Sequence, residues 1–292
     1  MRKNKHEPVL AEEVIRYLQP KPKDRYLDLT AGYGGHARMI LDRIGEEGTA
    51  TLVDRDEYAV KSLQDIFAED RRVGILHRDF LSASKQLSAE KKEYDIILAD
   101  LGLSSPHIDN PQRGFSFAAS GPLDMRMDRS QELTAGRIIN TYDAQLLADI
   151  FREYGEIRNA RKLAERLVEQ RPYETTDELA KKIAQLQGRK GRIHPATKVF
   201  QALRIAVNNE LAQLEEALPL WISMLARGGR IGVISFHSLE DRLVKQAFKD
   251  YGGNRYDAGL HIVTKKVVTA GKNEVVFNPR SRSAKLRVAQ RK

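Results

Sequence analysis

Apolar residues recur along the chain with two different spacings. Short, nearly continuous apolar runs predict strands that are buried on both faces, and apolar residues three or four positions apart predict amphipathic helices. Predicted strands lie at residues 26–29, 49–53, 73–77, 94–100 and 230–235, and helical patterns lie at 6–18, 37–44 and 59–67. This alternation is typical of a doubly wound, mostly parallel α/β sheet.

The alternation stops between residues 108 and 214. A loop containing glycine and proline is followed there by helical patterns at 134–140, 144–154, 159–170 and 176–187, and by a long amphipathic helix predicted over 194–218. Thr175 or Thr176 is expected to cap the fourth of these helices, and Gly188 to end it. We therefore predict a core domain of residues 1–107 and 215–292, interrupted by a helical insertion domain of residues 108–214.

The last part of the chain returns to the α/β pattern. The strand predicted at 230–235 runs into Phe236 and His237, and Ser238 is expected to cap the helix that follows. Segments 260–268 and 274–277 alternate between apolar and polar residues, which predicts a late antiparallel pair of strands.

A glycine-rich turn follows the first strand. Asp28 lies on that strand, and Gly32, Gly34 and Gly35 lie in the turn before the helix. Glycine permits positive φ and a close approach of the backbone to a ligand. Asp54 follows the second strand, where a carboxylate can accept hydrogen bonds from the hydroxyls of a ribose. The turn and the acid together predict a site for a nucleoside-containing cofactor.

Two cofactors fit this turn. Gly32, Gly34 and Ala37 match the dinucleotide fingerprint G-x-G-x-x-G/A, which allows NAD. S-adenosylmethionine (SAM) needs the same ribose acid, has no pyrophosphate to hold, and gains from a second acid near its cationic methionine end. Asp28 offers that second acid. The residues favour SAM over NAD, but they leave both possible, as well as a turn that binds nothing.

Further candidates follow the other strands, because ligands of open α/β sheets bind beyond the carboxyl ends of the strands. Asp79 and Phe80 follow the third strand and could contact an adenine, although Phe80 fits an apolar core equally well. Asp100 ends the fourth strand, where a cofactor and a second substrate would meet. His237 follows the fifth strand and reaches the same edge.

Charge narrows the class of partner. The 292 residues include 49 Lys and Arg against 40 Asp and Glu, a formal net charge of +9, and the isoelectric point is about 9.6. Two segments, residues 188–198 and 278–292, are basic and contain no acid. An excess of positive charge in acid-free clusters favours phosphate contacts with a nucleic acid.

The composition also argues against several classes of protein, namely disulfide-linked, metal-binding, secreted and membrane-spanning proteins. The chain contains no cysteine, so it has no disulfide framework and no thiolate metal site, which favours a reducing compartment. The histidines at 36, 107, 194 and 237 lack the spacing of metal ligands, so no metal is predicted. The first ten residues lack the apolar stretch of a secretory signal, and no apolar run approaches a membrane span. We expect a soluble, cytoplasmic protein.

Nine sequence blocks carry a more specific resemblance. They are HEPVL at 6–10, DLTAGYGGH at 28–36, VDRD at 53–56, DLGLSSP at 100–106, RGFSF at 113–117, GPLDMRMD at 121–128, HPATKVFQALRIAVNNEL at 194–211, GGRIGVISFHSLEDR at 228–242 and NPRSRSAKLR at 278–287. In this order the blocks resemble the RsmH (MraW) family of SAM-dependent methyltransferases. A glycine turn alone is a weak signal, whereas these blocks span the whole chain and decide for SAM over NAD.

The resemblance implies a fold, a reaction and a partner. The fold would be a Rossmann-like class I methyltransferase sheet with an inserted small helical domain that recognises the substrate. The reaction would be methylation of the N4 amine of a cytidine in 16S (small-subunit) ribosomal RNA near the decoding centre, with an assembled 30S particle as the partner. A monomer and a homodimer both remain open.

The resemblance also implies a set of cofactor contacts. The turn under the methionine portion corresponds to Gly34, Gly35 and His36, the ribose acid to Asp54 and the adenine contact to Phe80. Asp100 and the residue at 107 complete the pocket. Position 107 is His107 here, where the family often has Gln, so its contact differs in pH dependence.

Catalysis and RNA binding lead to further hypotheses. The cytosine amine is a poor nucleophile, so we expect the Asp100 carboxylate or nearby backbone carbonyls to accept its hydrogen bonds. His237 could contact the base or take up a proton, and is equally suited to anchoring the next helix. Phosphate contacts are predicted for Arg189, Lys190, Arg192, Arg280, Arg282, Lys285 and Arg287. A non-catalytic, SAM-binding ribosome-assembly factor is the alternative, and the residues alone also allow a DNA or protein substrate.

Overall fold

The computed structural model describes residues 8–102, 108–188, 194–252 and 258–292. The chain divides into two compact units, one of Met1–Gly102 with Ala212–Lys292 and the other of Leu103–Leu211. Within the described ranges, no helix is both long and apolar enough to cross a membrane.

Eight strands among the described residues form one sheet in the first unit. They are β1 (Arg25–Asp28), β2 (Thr49–Asp54), β3 (Val73–His77), β4 (Tyr94–Asp100), β5 (Leu225–Ser235), β6 (Leu260–Ile262), β7 (Val268–Thr269) and β8 (Lys285–Arg291). Their order is β3-β2-β1-β4-β5-β8-β6, and β7 also pairs with β8. The strands β1 to β5 are parallel, and β8 is antiparallel to β5. The predicted doubly wound, mostly parallel α/β sheet is confirmed.

Twelve α-helices are described. They are α1 (Ala11–Leu18), α2 (Gly35–Ile44), α3 (Glu57–Ile66), α4 (Phe80–Ala89), α5 (Ala135–Thr141), α6 (Ala144–Glu153), α7 (Ala160–Val168), α8 (Thr176–Gln187), α9 (Ala196–Asn208), α10 (Glu210–Ser223), α11 (Ser238–Asp250) and α12 (Lys272–Phe277). Two short 3₁₀ helices, Pro111–Arg113 and Pro279–Ser283, complete the regular structure of the described residues.

Both faces of the central sheet are covered by core. Successive side chains of a strand point to opposite faces. Tyr26 accordingly packs with Leu52, Ile96 and the residues of α1 and α2 on one face, whereas Leu27 packs with Trp221 on the other. This two-sided burial explains why the parallel strands are nearly continuous apolar runs in the sequence.

The second unit has its own apolar core. Buried side chains from α5 to α9, including Phe151 and Leu203, form one cluster. The loop before α5 is fixed by polar groups. The Arg113 guanidinium donates to the Met127 carbonyl at 3.1 Å, and the Asn208 side chain accepts from the Met127 N–H at 2.8 Å. The regular structure of this unit is therefore helical, and the loop before α5 is held in place by the hydrogen bonds of Arg113 and Asn208.

Three predicted elements are wrong. The long helix predicted over 194–218 breaks at Asn209, which adopts the left-handed conformation (φ 50°, ψ 39°), so that α9 and α10 are separate helices. Residues 274–277 belong to the helix α12 rather than to a strand. Ser238 is the first residue of α11, and the cap is His237, whose ring accepts from the Glu240 N–H. Asparagine tolerates the left-handed region better than most residues, which explains the break at Asn209.

One strand was missed. The basic segment at the end of the chain contains β8, which lies between β5 and β6 in the sheet. Arg287 on β8 donates two hydrogen bonds to the Asp241 carboxylate, at 2.6 and 3.1 Å, and the two side chains are only 12% and 17% exposed. This placement does not support the prediction that Arg287 binds RNA, because its guanidinium already has a buried partner.

Replacing Arg287 with alanine would leave the Asp241 carboxylate buried without its partner. We expect Arg287→Ala to lower the free energy of unfolding by about 3 kcal/mol, since an uncompensated buried charge is costly. Arg161→Ala is the matched control. It breaks an exposed pair with Glu165 on α7 and should cost less than about 1 kcal/mol. Urea denaturation of both variants makes the comparison, and equal losses would contradict the structural role of Arg287.

Candidate cofactor site at the carboxyl edge of the sheet

The strand order of the sheet reverses between β1 and β4. From β1 the strand order runs outward through β2 to β3 on one side and through β4 to β5 on the other. A crevice at such a switch point is where doubly wound sheets bind their ligands. Three carboxylates end the strands here: Asp28 on β1, Asp54 on β2 and Asp100 on β4.

The glycine turn between β1 and α2 is shaped by two positive φ angles. Gly32 has φ +53° and Gly34 has φ +75°, values that other residues rarely adopt. A Cβ at Gly34 would lie 3.0 Å from the Phe67 ring, whereas a Cβ at Gly32 would meet nothing closer than the Thr30 carbonyl at 3.9 Å. Gly34 is therefore fixed by packing within the protein, and Gly32 leaves open space above the turn.

Asp54 ties this turn to the second strand. Its carboxylate accepts hydrogen bonds from the Gly32 N–H at 2.7 Å and from the Asp56 N–H at 2.8 Å. Burial raises the pKa of Asp54, and these two N–H groups oppose that shift. A carboxylate offers about four acceptor positions. The remaining positions fit the hydroxyls of a ribose, as expected for the acid at the end of β2.

Asp28 is the most deeply buried of the three acids. Its carboxylate accepts from the Tyr26 hydroxyl at 2.6 Å and from the Thr30 N–H at 3.2 Å. Burial raises the pKa of Asp28 to about 7, against the lowering effect of the Tyr26 and Thr30 hydrogen bonds. An acid in this state is poised to ionise when a positive charge arrives.

Asp100 lies on the neighbouring strand. Its N–H donates to the Thr30 hydroxyl at 2.6 Å, so Thr30 links the ends of β1 and β4. Burial raises the pKa of Asp100 to about 7, and the charges of Asp28 and Glu240 add to this shift. The His36 Nε2 lies 3.9 Å from the Asp100 carboxylate, which is too far for a hydrogen bond but close enough for attraction when the ring is protonated.

Two candidates after β3 have partners within the protein. Asp79 caps α4 and accepts from the Ser82 N–H at 2.8 Å. Phe80 contacts Trp221 edge-on, with ring centroids 5.6 Å apart, and packs against the core on that face of the sheet. Both side chains therefore contribute to the local structure, whether or not they also contact an adenine.

His237 caps α11 at the end of β5. Its Nδ1 accepts from the Glu240 N–H at 3.3 Å, and the Glu240 carboxylate accepts in return from the Phe236 and His237 N–H groups at 2.8 and 3.2 Å. The His237 Nε2 lies 3.2 Å from the same carboxylate. The capping contact of Nδ1 favours the hypothesis that His237 anchors the helix over the hypothesis of direct catalysis, whereas the buried Nε2 has no hydrogen-bond partner among the described residues.

The remaining predicted site residues fall into two groups. His107, Arg189, Lys190 and Arg192 lie outside the described residues. Arg280 and Arg282 are exposed on the 3₁₀ helix Pro279–Ser283, and Lys285 is half-buried at the start of β8. The exposure of Arg280 and Arg282 is compatible with the predicted phosphate contacts, and Lys285 is less accessible.

Tyr26 and Thr30 were not identified as site residues from the sequence. A signal for Tyr26 existed, because residues two apart on a strand share a face, which places Tyr26 beside Asp28. Thr30 carried no such signal, since its bond to the Asp100 N–H forms only when β1 and β4 become neighbours.

Comparison with known proteins relates the whole chain to one family. The family model described as "MraW methylase family" matches residues 3–292. Three curated relatives carry the name "Ribosomal RNA small subunit methyltransferase H". The protein from Crocosphaera subtropica is 50% identical over 98% of this chain and 89% of its own. Those from Rippkaea orientalis and Cyanothece sp. are each 47% identical over 98% of this chain, and over 92% and 94% of their own.

Solved structures are more distant. A SAM-dependent O-methyltransferase from Thermotoga maritima aligns with a TM-score of 0.45 at 10% identity, covering 100% of this chain and 69% of its own. At this level the structural similarity adds nothing to the sequence relationship.

The acids of the site lead to a pH prediction. With pKa values raised to about 7, Asp28 and Asp100 are mostly protonated at pH 5.5. A cationic ligand stabilises the ionised forms of these acids, so the affinity for SAM should rise with pH below 7. The rise should be up to about tenfold per pH unit for each acid that must ionise, and the affinity should level off above pH 7. Calorimetric titrations between pH 5.5 and 7.5 measure this, and a flat profile would contradict it.

The Tyr26 hydroxyl gives a second prediction. Because its hydrogen bond stabilises the ionised Asp28, Tyr26→Phe should weaken SAM binding at pH 7 by about tenfold and shift the pH dependence to higher pH. Tyr94→Phe is the matched control, since it removes a buried hydroxyl bonded to Thr51 at 3.3 Å, away from the acids. Equal binding profiles for the two variants would rule out this role of Tyr26.

Proposed function

Because the chain belongs to the MraW methylase family, we propose that it transfers a methyl group from SAM to the N4 amine of a cytidine in small-subunit ribosomal RNA, near the decoding centre. The observation that carries the proposal is the meeting of Asp28, Asp54 and Asp100 around an open glycine turn. The relatives' name supplies the class of substrate. The choice of N4 rests on the family resemblance.

The residues of the carboxyl edge fit this cofactor. When bound, SAM supplies an electrophilic methyl group on a positively charged sulfur. Asp54 has acceptor positions for ribose hydroxyls, and the space above Gly32 admits a ligand close to the backbone. Asp28 and Asp100 place two ionisable acids where a cation would lie. Gly34, Gly35 and His36 would form the turn under the methionine portion, and Phe80 is the proposed adenine contact.

Asp100 has a second proposed role toward the substrate. The lone pair of the cytosine amine is delocalised into the ring, so acceptors for its N–H groups would help the nitrogen to become tetrahedral. The Asp100 carboxylate, ionised above its raised pKa of about 7, is such an acceptor at the end of β4. Most of the rate would come from holding the amine in line with the methyl group.

The RNA would be held by cations and by the helical unit. Arg280 and Arg282 are exposed, and Arg189, Lys190 and Arg192 belong to the other basic segment. A cytidine in folded RNA has to leave its stack to reach a buried site, and phosphate contacts on both sides would stabilise that state. We assign substrate recognition to the insertion and expect an assembled 30S particle in the cytoplasm as the natural partner.

Methyl transfer to small subunits tests the proposal. Subunits from cells lacking this protein should accept one methyl group per particle, and mass mapping should place that group on N4 of one cytidine. Failure to transfer methyl groups, with SAM still bound, would instead favour a non-catalytic assembly factor.

Asp100→Asn tests the role toward the amine. It keeps the size of the side chain but removes its charge, so turnover at saturating SAM should fall by about a hundredfold, in the range of a lost transition-state contact. The SAM affinity of the variant is measured in parallel, which separates loss of cofactor from loss of chemistry. Wild-type turnover at saturating SAM would refute the role of Asp100 toward the amine.

A further inference from the structure

Two adjacent apolar side chains on α12 face solvent. Phe277 is 83% exposed and Val276 is 72% exposed, the highest values among the large hydrophobic side chains of the described residues. No residue of this short helix is buried. Single exposed apolar residues are common, but an exposed aromatic ring beside a second apolar side chain and a cluster of cations is a more specific combination.

The cations follow directly in the chain. Arg280 and Arg282 lie on the 3₁₀ helix Pro279–Ser283, and both are exposed. Ser281 between them is buried, and its hydroxyl donates to the Asn278 carbonyl at 2.8 Å. The buried Ser281 side chain fixes the local backbone, so that Arg280 and Arg282 on either side of it lie on the outside.

The strand register places this segment at the edge of the sheet that carries the acids. Lys285, the first residue of β8, pairs with Ser235, the last residue of β5. Because the two strands are antiparallel, the residues just before Lys285 lie beyond the carboxyl end of β5. Asp100 ends the neighbouring strand β4, paired with Ile234. The exposed segment is thus on the same edge as the cofactor site.

A second connection ties α12 to the glycine turn. The Glu274 carboxylate accepts from the Leu10 N–H at 2.7 Å. Pro8, two residues earlier, packs so closely on the turn that a Cβ at Gly35 would lie 3.2 Å from the proline ring. The helix that carries Phe277 is therefore held against the segment that covers the turn.

We propose that Val276, Phe277, Arg280 and Arg282 form a docking surface, here called the Phe277 surface, for a single-stranded stretch of the substrate RNA. A base of that stretch stacks on the Phe277 ring, and the two arginines contact its phosphates. Stacking on aromatic side chains together with basic contacts along the backbone is the common way to hold unpaired RNA. The inference rests on the proposed function, since it concerns how the same substrate reaches the same site.

Size and charge favour RNA over a protein partner. Specific protein interfaces bury about 800 Å² on each partner, which two apolar side chains and two arginines do not supply. The charge of the surface is complementary to phosphate, and base stacking needs only one exposed ring.

The test uses the full-length protein and small subunits from cells that lack it. Phe277→Ala should weaken binding to these subunits by about tenfold, since stacking of one base contributes about 1–3 kcal/mol. Phe277→Leu should be as weak as the alanine variant, and Phe277→Trp should bind like the wild type. Tyr251→Ala, at an exposed aromatic residue that follows α11 in the core unit, is the control for loss of exposed aromatic surface. SAM affinity should be unchanged in all four variants.

The arginines are tested by salt dependence. Arg280→Gln combined with Arg282→Gln should reduce the slope of log affinity against log salt by about 1.4, close to 0.7 for each lost contact to a single strand. Arg71→Gln, which removes an exposed cation at the opposite edge just before β3, should leave the slope unchanged when introduced alone.

The outcomes separate this surface from the proposed function. If the wild type methylates the subunits and Phe277→Ala binds and methylates them equally well, the surface is refuted and the function stands. If Phe277→Leu binds the subunits as tightly as the wild type, an apolar contact is sufficient and base stacking is not required. The proposal is then also overturned. If the wild type neither binds nor methylates the subunits, the proposed function itself fails.

Discussion

The structure depends on holding three carboxylates at the ends of adjacent parallel strands without leaving their charge unsupported. Burying an acid is costly unless hydrogen bonds compensate it. Tyr26 and Thr30 donate to Asp28, and the Gly32 N–H donates to Asp54. The two acids of β1 and β4 nevertheless keep pKa values raised to about 7. The protein thus keeps a site with two acids whose ionised forms would be stabilised by a bound cation.

The same groups also connect the strands. Thr30 accepts from the Asp100 N–H, and Asp54 accepts from the turn after β1. Each contact joins a residue of the glycine turn to a neighbouring strand end. The turn is therefore part of the sheet edge rather than a separate loop, and its geometry follows from the strand order β2-β1-β4.

Much of this arrangement was predictable from local patterns. The strands β3 and β4 have the predicted bounds, because each apolar run ends at a polar residue. The break at Asn209 was missed because the apolar spacing continues through it. The strand β8 was hidden by its basic residues, since Arg287 is compensated only by Asp241 in the folded protein. Within the site, the acids were found from their positions after strands, whereas the Thr30 link depends on contacts distant in sequence.

The central claim is that these acids and the open turn bind SAM rather than a dinucleotide. Isothermal titration of the wild type and of Asp54→Asn with SAM and with NAD tests it most directly. We expect saturable heat for SAM with the wild type, a strong loss of that affinity with Asp54→Asn, and no binding of NAD by either. Binding of NAD by the wild type, with no heat from SAM, would contradict it.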